Sequence, residues 1–578
     1  MKKLLLGNEA VAQGLYEAGV RFVSSYPGTP STEITENAVK HPEIWCEWAP
    51  NEKVALEASI GACIAGARAF SAQKHVGLNV AADPLFTSSY TGVNGGLVIA
   101  VADDPGMFSS QNEQDSRHYA KAAKILMLEP SDSTECKNYA KKAYELSEQF
   151  DTPVLLRLTT RVAHSSSIVE LGEREEKDLK PYEKSVAKYV MMPASAIKRH
   201  VVVEDRQAKE LEWAETTDLN SIEWNDKKIG VIAAGITYQY AKEALGDKAS
   251  YLKLGCVYPL PVQKIKDFAK EVDTLYVLEQ LDPFVEEHVR ALGIPCVGKD
   301  VFTLQGEYSQ ALIRKVILHE EAEQMKTDLE IPGRPPALCP GCPHRGLFTA
   351  LHDLKVFVSG DIGCYTLGAL APTSAIDTVI CMGQSISGLH GRNKVDPEHA
   401  KNSVAVIGDS TFVHSGITGM INTIYNQSSS NIIILDNSIT GMTGHQQNPT
   451  TGKRINGDPT TAIDLEALAK AVGMKRVVVV DPYDIKATKA AIKAELEVDE
   501  PSLIISRRPC VLLPEIRKQQ KPAVTVDPDK CIGCKACMKI GCPAISMKEG
   551  KSTIDFTQCV GCGMCLPLCP VKAMKEGK

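Results

Sequence analysis

The 578-residue sequence has no apolar run approaching the roughly 18 residues that cross a bilayer, so no membrane span is expected. An export leader is missing too. The start, Met1-Lys2-Lys3-Leu4-Leu5-Leu6-Gly7-Asn8-Glu9, turns polar after its three leucines, which is too short for the apolar core of a signal, and a cytoplasmic location is the expectation. Basic excess is lacking: Lys and Arg number 64 against 71 Asp and Glu, a formal charge of −7, which provides no general face for nucleic acid. There are no low-complexity tracts. With 44% hydrophobic and 23% charged residues, extended disorder and coiled-coil or collagen-like architectures are also excluded. At roughly 100–200 residues per domain, the length predicts about three to five domains, each able to bury a core.

Cysteine is present in quantity and is unevenly spread. Of the 18, eight lie between Cys531 and Cys569 and the rest are scattered over the preceding chain. In a chain without an export leader, clustered thiols read as metal ligands rather than disulfides. The run Cys559-x2-Cys562-x2-Cys565-x3-Cys569-Pro570 has the full bacterial iron–sulfur spacing. The run Cys531-x2-Cys534-x2-Cys537-x4-Cys542-Pro543 matches except for one added residue before its fourth cysteine. Each run supplies three thiolates to one cluster and a fourth to the other. The assignment is therefore Cys531, Cys534, Cys537 and Cys569 for one [4Fe-4S] cluster, and Cys542, Cys559, Cys562 and Cys565 for the second. A pair of structural zinc sites is the alternative, but it leaves the interlocked, proline-terminated repeat without a reason.

Along the chain, residues 1–170 read as an α/β block, with a helix over Glu9–Val20, a strand over Arg21–Tyr26, and Thr29 before Pro30 as the N-cap of a further helix. Residues 171–225, dense in charge and without periodicity, read as a solvated connection. Apolar strands at Ile229–Ala234, Tyr251–Leu254 and Thr274–Leu278 place a smaller parallel α/β domain over 226–330. A linker over 328–336 leads to a third α/β block, 337–515, with strands at Val404–Ile407, Ile432–Leu435, Val477–Val480 and Leu503–Ile505. The cysteine-rich tail, an α+β ferredoxin-like module, occupies 522–578.

In the third block one strand ends in Gly408-Asp409-Ser410 and the next in Asp436-Asn437. Magnesium takes near-octahedral oxygen ligands and retains water. One carboxylate (Asp409), one amide oxygen (Asn437) and the carbonyl of Ile439 therefore leave room for a diphosphate. Strand ends of an open α/β sheet are where ligands bind, and a helix expected near His414 turns N–H groups toward the anion. A bare Gly-Asp is more often a simple turn; its spacing to a strand-terminal Asn makes the pattern resemble the thiamine-diphosphate fingerprint.

Around it stand Cys339-Pro340-Gly341-Cys342-Pro343-His344-Arg345, Gly360-Asp361-Ile362-Gly363-Cys364-Tyr365-Thr366, Cys381-Met382-Gly383-Gln384-Ser385-Ile386 and Thr440-Gly441-Met442-Thr443-Gly444-His445-Gln446; Tyr26-Pro27-Gly28-Thr29-Pro30-Ser31 and Asp103-Asp104-Pro105-Gly106-Met107 precede them. Together these resemble the 2-oxoacid:ferredoxin oxidoreductases, and among them the alpha subunits of indolepyruvate:ferredoxin oxidoreductases, over nearly the whole chain. The resemblance implies two thiamine-diphosphate-binding-type α/β domains, a transketolase-C-terminal-like domain and the ferredoxin-like module. It implies thiamine diphosphate and Mg2+, with Gly408, Ser410, Gly363, Met382, Gly383, His344 and His445 beside them. In this family the glutamate facing N1′ of the aminopyrimidine lies nine residues before a Gly-Ala-x-x-Ala-Gly-Ala stretch; here that stretch is 61–67, which selects Glu52, with Glu57 as rival. Thr29 falls near the substrate carbonyl.

Two departures stand out. The arginine that pyruvate-specific relatives place on the substrate carboxylate is not obvious, Arg117 and Arg161 being candidates, which counts against pyruvate. Cys339, Cys342, Cys364 and Cys510 fall where relatives bind a third cluster, but the Pro343-His344-Arg345 continuation differs; cofactor-lining thiols without iron are the alternative. The six other cysteines (Cys46, Cys63, Cys136, Cys256, Cys296, Cys381) read as small packing residues. The implied function is oxidative decarboxylation of arylpyruvates, indolepyruvate first, to acyl-CoA with reduction of ferredoxin, alongside a smaller beta subunit. Rival readings are the same reaction on pyruvate or a branched-chain acid, a non-oxidative thiamine decarboxylase, and a pure electron-transfer protein.

Overall fold

The computed structural model describes residues 1–321, 327–333 and 335–577, in two compact units, Met1–Asp328 and Leu329–Lys578. Residue 334 of the expected linker and 322–326 of the expected smaller domain lie outside the described residues. Among the described residues no helix is long and apolar enough to cross a membrane.

The first unit carries a seven-stranded sheet in the order Cys256–Tyr258, Met127–Leu128, Val154–Thr159, Leu97–Asp103, Ala69–Lys74, Phe22–Ser25, Trp45–Trp48. All neighbours are parallel except Cys256–Tyr258, which runs antiparallel to Met127–Leu128. Leu97–Asp103 is buried at every position, the mark of a strand covered on both faces, which is why it reads as an unbroken run rather than an alternation. A second sheet, Thr274–Leu278, Ile229–Ala234, Ser250–Leu254 and Asn220–Glu223, contains the three strands expected of the smaller domain plus an antiparallel edge strand. Because Cys256–Tyr258 follows the second sheet's strand but joins the first sheet, the 1–170 and 226–330 blocks are stitched through one ladder.

Two local expectations shift. Thr29 is not a helix cap: Ser31 donates to the Gly28 carbonyl through both its N–H (2.9 Å) and its hydroxyl (2.8 Å), closing a turn first, and the helix begins at Thr32. The stretch 171–225 is not a loose connection. Gly172 N–H donates to buried Glu17 at 2.6 Å, and Pro193–Thr216 is a helix of 24 residues that buries Val203, Arg206, Glu210 and Ala214. Two of those four are charged, so the buried stripe carries no apolar signal.

The second unit holds a five-stranded parallel sheet in the order Phe357–Ser359, Ser403–Gly408, Asn431–Asp436, Ser502–Arg507, Arg476–Val480. Along the middle strand Ile433 and Leu435 enter one core while Ile432 and Ile434 enter the other, so period-two alternation feeds both faces. Gly408 pairs with Leu435, which sets Asp409 and Asp436-Asn437 side by side at the carboxyl edge. The helix expected near His414 begins earlier: helical turns run from Asp409 to Tyr425, with a wide turn at Phe412–Gly416. In the tail, Thr525–Val526 pairs with Met574–Lys575 and Ile545–Lys548 with Lys551–Ile554, and the cysteines occupy the loops and short turns between.

Candidate active site

At the carboxyl edge of the second unit's sheet, the side-chain oxygen of Asn437 stands at a position 3.3 Å from Asp409 Oδ1 and 2.7 Å from the Ile439 carbonyl. Three oxygens thus converge with no proton between them. In a bare chain the amide would gain by turning its NH2 inward; with its oxygen inward the cluster is a cation's donor set, of the hard-oxygen type that magnesium takes. Asp409 accepts from Ser410 N–H (2.8 Å) and the Thr450 hydroxyl (3.2 Å) and is almost wholly buried. Burial, together with neighbouring Asp436, pushes its carboxyl up to about 7. The residues present fit a divalent cation with a diphosphate. Thr450 was not foreseen from sequence; its signal is the Asn448-Pro449-Thr450 turn, in which Asn448 accepts from Thr450 N–H at 2.9 Å.

The surrounding glycines are shaped by one ring. A Cβ on Gly363 would lie 2.3 Å, and one on Gly408 2.6 Å, from Cε1 of Tyr365, so both motifs close on that tyrosine, whose hydroxyl donates to the Ile362 carbonyl at 2.8 Å. Asp361 accepts from Gly383 and Ser385 N–H, each at 3.0 Å, and caps the helix Gln384–Val395; Met382 precedes that cap half-buried. His344 is buried, and desolvation pushes its imidazole down to about 4, so it stays neutral, with its ring edge-on to Tyr365 at 6.0 Å. His445 sits against Cys510, Nε2 to Sγ 3.9 Å.

In the first unit, the two glutamates separate cleanly. Glu57 is half exposed and paired with Lys53 on the surface. Glu52 is 5% exposed, opens the helix Glu52–Ile64, and lies against Gly77, where a Cβ would come within 2.6 Å of its Oε1. Thr29 lies in the turn whose carbonyl accepts from the Ser109 hydroxyl at 3.3 Å. Neither candidate arginine presents an open fork. Arg117 is fully enclosed by Asp115 and Glu279, and Arg161 is bidentate to Glu307 at 2.7–2.9 Å, so the expectation that one of them receives the substrate carboxylate is not met by this geometry.

The tail contains two cavities. One is lined by Cys531, Cys534, Cys537 and Cys569; the other by Cys542, Cys559, Cys562 and Cys565. Main-chain N–H groups aim at the sulfurs: Ser552 at Cys531 (3.4 Å), Ala573 at Cys569 (3.2 Å), Val524 at Cys559 (3.4 Å). Those bonds suit thiolates, and hydrogen bonds to ligand sulfur are part of how iron–sulfur sites are tuned. Among the described residues only Asp115, His118 and Asp282 bring three ligand atoms within 4.8 Å of one another. Four thiolates on zinc, at about 2.3 Å each, would stand about 3.8 Å apart. Among the described residues no three sulfurs of either quartet meet that 4.8 Å limit. The cavity of Cys542 is also walled by Pro340 and Gly341, from the loop between Cys339 and Cys342, whereas the cavity of Cys531 is lined by tail residues alone.

Cys339, Cys342, Cys364 and Cys510 are brought together: Cys342 and Cys364 each feel the charges of Cys339 and Cys510. Burial pushes Cys342 up to about 12 and Cys364 up to about 11 as free thiols. The Cys510 N–H donates to the Asn437 carbonyl (2.9 Å), and a Cβ on Gly441 would lie 3.4 Å from Cys364 Sγ, so this quartet adjoins the oxygen cluster. Of the cysteines read as packing, Cys63, Cys136 and Cys256 are buried in the first unit's cores, Cys46 and Cys296 are half-buried, and Cys381 is exposed.

A diphosphate-type α/β domain carrying an iron–sulfur module, preceded by a second α/β unit, defines a thiamine-diphosphate-dependent 2-oxoacid:ferredoxin oxidoreductase. Family models agree: residues 13–230 match the thiamine-diphosphate-binding domain of pyruvate flavodoxin/ferredoxin oxidoreductases, 361–506 the C-terminal thiamine pyrophosphate-binding domain of thiamine enzymes, and 523–570 a 4Fe-4S dicluster domain. The indolepyruvate oxidoreductase subunit IorA of Archaeoglobus fulgidus is 39% identical, over 100% of this chain and 98% of its own length; that of Pyrococcus horikoshii is 41% identical, over 100% and 97%. The chain belongs to the IorA family of indolepyruvate oxidoreductase subunits.

Proposed function

We propose that this chain is the catalytic alpha subunit of a cytoplasmic enzyme that converts an arylpyruvate, indolepyruvate first, with coenzyme A and two oxidised ferredoxins into aryl-acetyl-CoA, carbon dioxide, a proton and two reduced ferredoxins. A smaller beta subunit completes it. When bound, thiamine diphosphate supplies the carbanion chemistry that releases carbon dioxide, and the clusters carry single electrons. Asp409, Asn437 and the Ile439 carbonyl hold the magnesium; Gly408 and Ser410, with Gly363, Met382 and Gly383, shape the diphosphate's bed. Glu52 shares a proton with N1′ of the aminopyrimidine through its carboxylate, and Thr29 lies beside the substrate. Cys339, Cys342, Cys364 and Cys510 hold a third cluster, with His445 against Cys510 and neutral His344 at its edge.

The observation that carries this reading is the wall shared between the inner tail cavity and the Cys339–Cys342 loop, which joins the diphosphate domain to the iron–sulfur module without a gap. A non-oxidative decarboxylase has no use for such a junction. The test is anaerobic ferredoxin reduction by the purified complex with indolepyruvate, phenylpyruvate and pyruvate, each with and without coenzyme A. Aryl substrates are expected to lead, with coenzyme A required; a strong preference for pyruvate, or free aldehyde as the product, overturns the assignment.

A further inference from the structure

Arg345 is 3% exposed, yet among the described residues no acidic side chain is one of its hydrogen-bond partners. It sits in the first turn of the helix His344–Leu354, and the four hydrogen bonds that its guanidinium makes to described residues all go to main-chain carbonyls. Nε donates to Cys339 at 3.0 Å and Nη2 to Leu338; Nη1 donates to Ile540 at 3.2 Å and to Gly541. The ionisable groups nearest it in influence are the thiols of Cys542, Cys342, Cys339 and Cys562. A guanidinium taken out of water without a counter-ion is strongly unfavourable. Here the compensation that the structure shows comes from four carbonyls.

Two irregularities of the sequence meet at this residue. One is the Pro343-His344-Arg345 continuation of the Cys-x2-Cys motif; the other is the added residue between Cys537 and Cys542. The longer spacing lets the chain turn at Gly541, with φ +65°, and present the Ile540 and Gly541 carbonyls to Nη1. A Cβ on Gly541 would stand 2.9 Å from Pro372 Cδ and 3.1 Å from Arg345 Nη1, so glycine is what admits the guanidinium. The insertion is thus the socket for the arginine.

We infer that Arg345 is a positioning residue for electron transfer: it clamps the Cys542 corner of the inner tail site to the Cys339–Cys342 loop and holds a fixed positive charge between the two sets of thiolates. This rests on the reading of the tail as two iron–sulfur clusters. With clusters held by Cys542, Cys559, Cys562 and Cys565 and by Cys531, Cys534, Cys537 and Cys569, each passage would carry one electron from the diphosphate domain through the inner site and the outer one to ferredoxin. Two passages follow each 2-oxo acid oxidised, and the guanidinium neither gains nor loses a proton. A positive charge beside a cluster favours its reduced, more negative state and raises its potential.

The test uses the full complex with Arg345→Met and Arg345→Lys, reading iron content, cluster midpoint potentials by redox titration with electron paramagnetic resonance, and indolepyruvate-dependent ferredoxin reduction. Arg345→Met is expected to keep its iron, shift one tail-cluster potential downward and slow ferredoxin reduction by about tenfold or more, the scale seen when partners of metal ligands are lost. Arg345→Lys restores the potential but only part of the rate. Iron-loaded Arg345→Met with unchanged potentials overturns the inference. If Arg345→Met sheds tail iron, Arg345→Lys decides: retained iron with a near-native potential upholds the role of the charge, and equal loss of iron refutes it. The potentials are read without substrate, so a complex inactive on indolepyruvate in its native form counts against the proposed function and leaves this result standing.

Discussion

Two glutamates five positions apart in one helix have different fates, and the difference lies in a glycine. Glu57 faces water and Lys53, where an ion pair contributes little. Glu52 is enclosed, and Gly77 has no side chain because the Glu52 carboxylate occupies that volume. Sequence spacing selected Glu52 only through family resemblance; burial now separates the two on physical grounds. Glu52→Gln keeps the shape and hydrogen-bonding capacity but loses the ionisable proton. It is expected to retain thiamine diphosphate and tail iron while turnover falls by roughly 100-fold or more, the scale of positioned acid–base groups. Near-native turnover with full cofactor content removes Glu52 from that role. Gly77→Ala should disturb the same carboxylate, whereas Glu57→Gln is expected to leave turnover within experimental error.

At the scale of elements, strands were legible where burial is apolar. Ser403–Gly408, Asn431–Asp436 and Ser502–Arg507 pack aliphatic residues on both faces, and hydrophobicity alone locates them within a residue or two. The helix Pro193–Thr216 was invisible because its buried stripe includes Arg206 and Glu210, an i,i+4 pair. There burial dominates: it raises Glu210 to about 7 even with Arg206 beside it, and lowers Arg206. The folded value lies above the ordinary 4.5, so the native state binds the proton more tightly. This group's contribution is complete below pH 4.5 and is lost as pH rises through about 7. Glu210→Gln should therefore flatten the decline in thermal stability between pH 5 and pH 8; identical slopes in the two proteins refute the assignment. Asp361 lay inside a quoted motif without a role, because capping is a three-dimensional relation: its carboxylate spans to residues 383 and 385. Asp361→Ala strands two buried N–H groups and is expected to cost about 2 kcal/mol or more in denaturant unfolding. A loss below 0.5 kcal/mol, of the size typical for surface changes, shows the cap to be dispensable.

For the whole molecule, the cysteines sort by the company they keep. Spacing alone identified the eight in the tail, since a cubane dictates short gaps and a crossed fourth ligand. It left the quartet of Cys339, Cys342, Cys364 and Cys510 open, because those residues come from three segments far apart in sequence and only folding shows that they adjoin both the oxygen cluster and the inner tail cavity. If that quartet is loaded, the anaerobically purified chain with its partner should contain about twelve irons, against about eight from the tail alone. Cys510→Ala is the informative variant. It is expected to remove about four irons while leaving both tail-cluster signals intact, and to abolish indolepyruvate-driven ferredoxin reduction, since the inner tail site would lose its neighbour on the donor side. Cys296→Ala, at a thiol outside every quartet, should leave iron unchanged. A native count of about eight with full activity means that electrons enter the tail without a third cluster; the wall formed by Pro340 and Gly341 would then be the donor side itself, and Cys339 and Cys342 would serve to shape it.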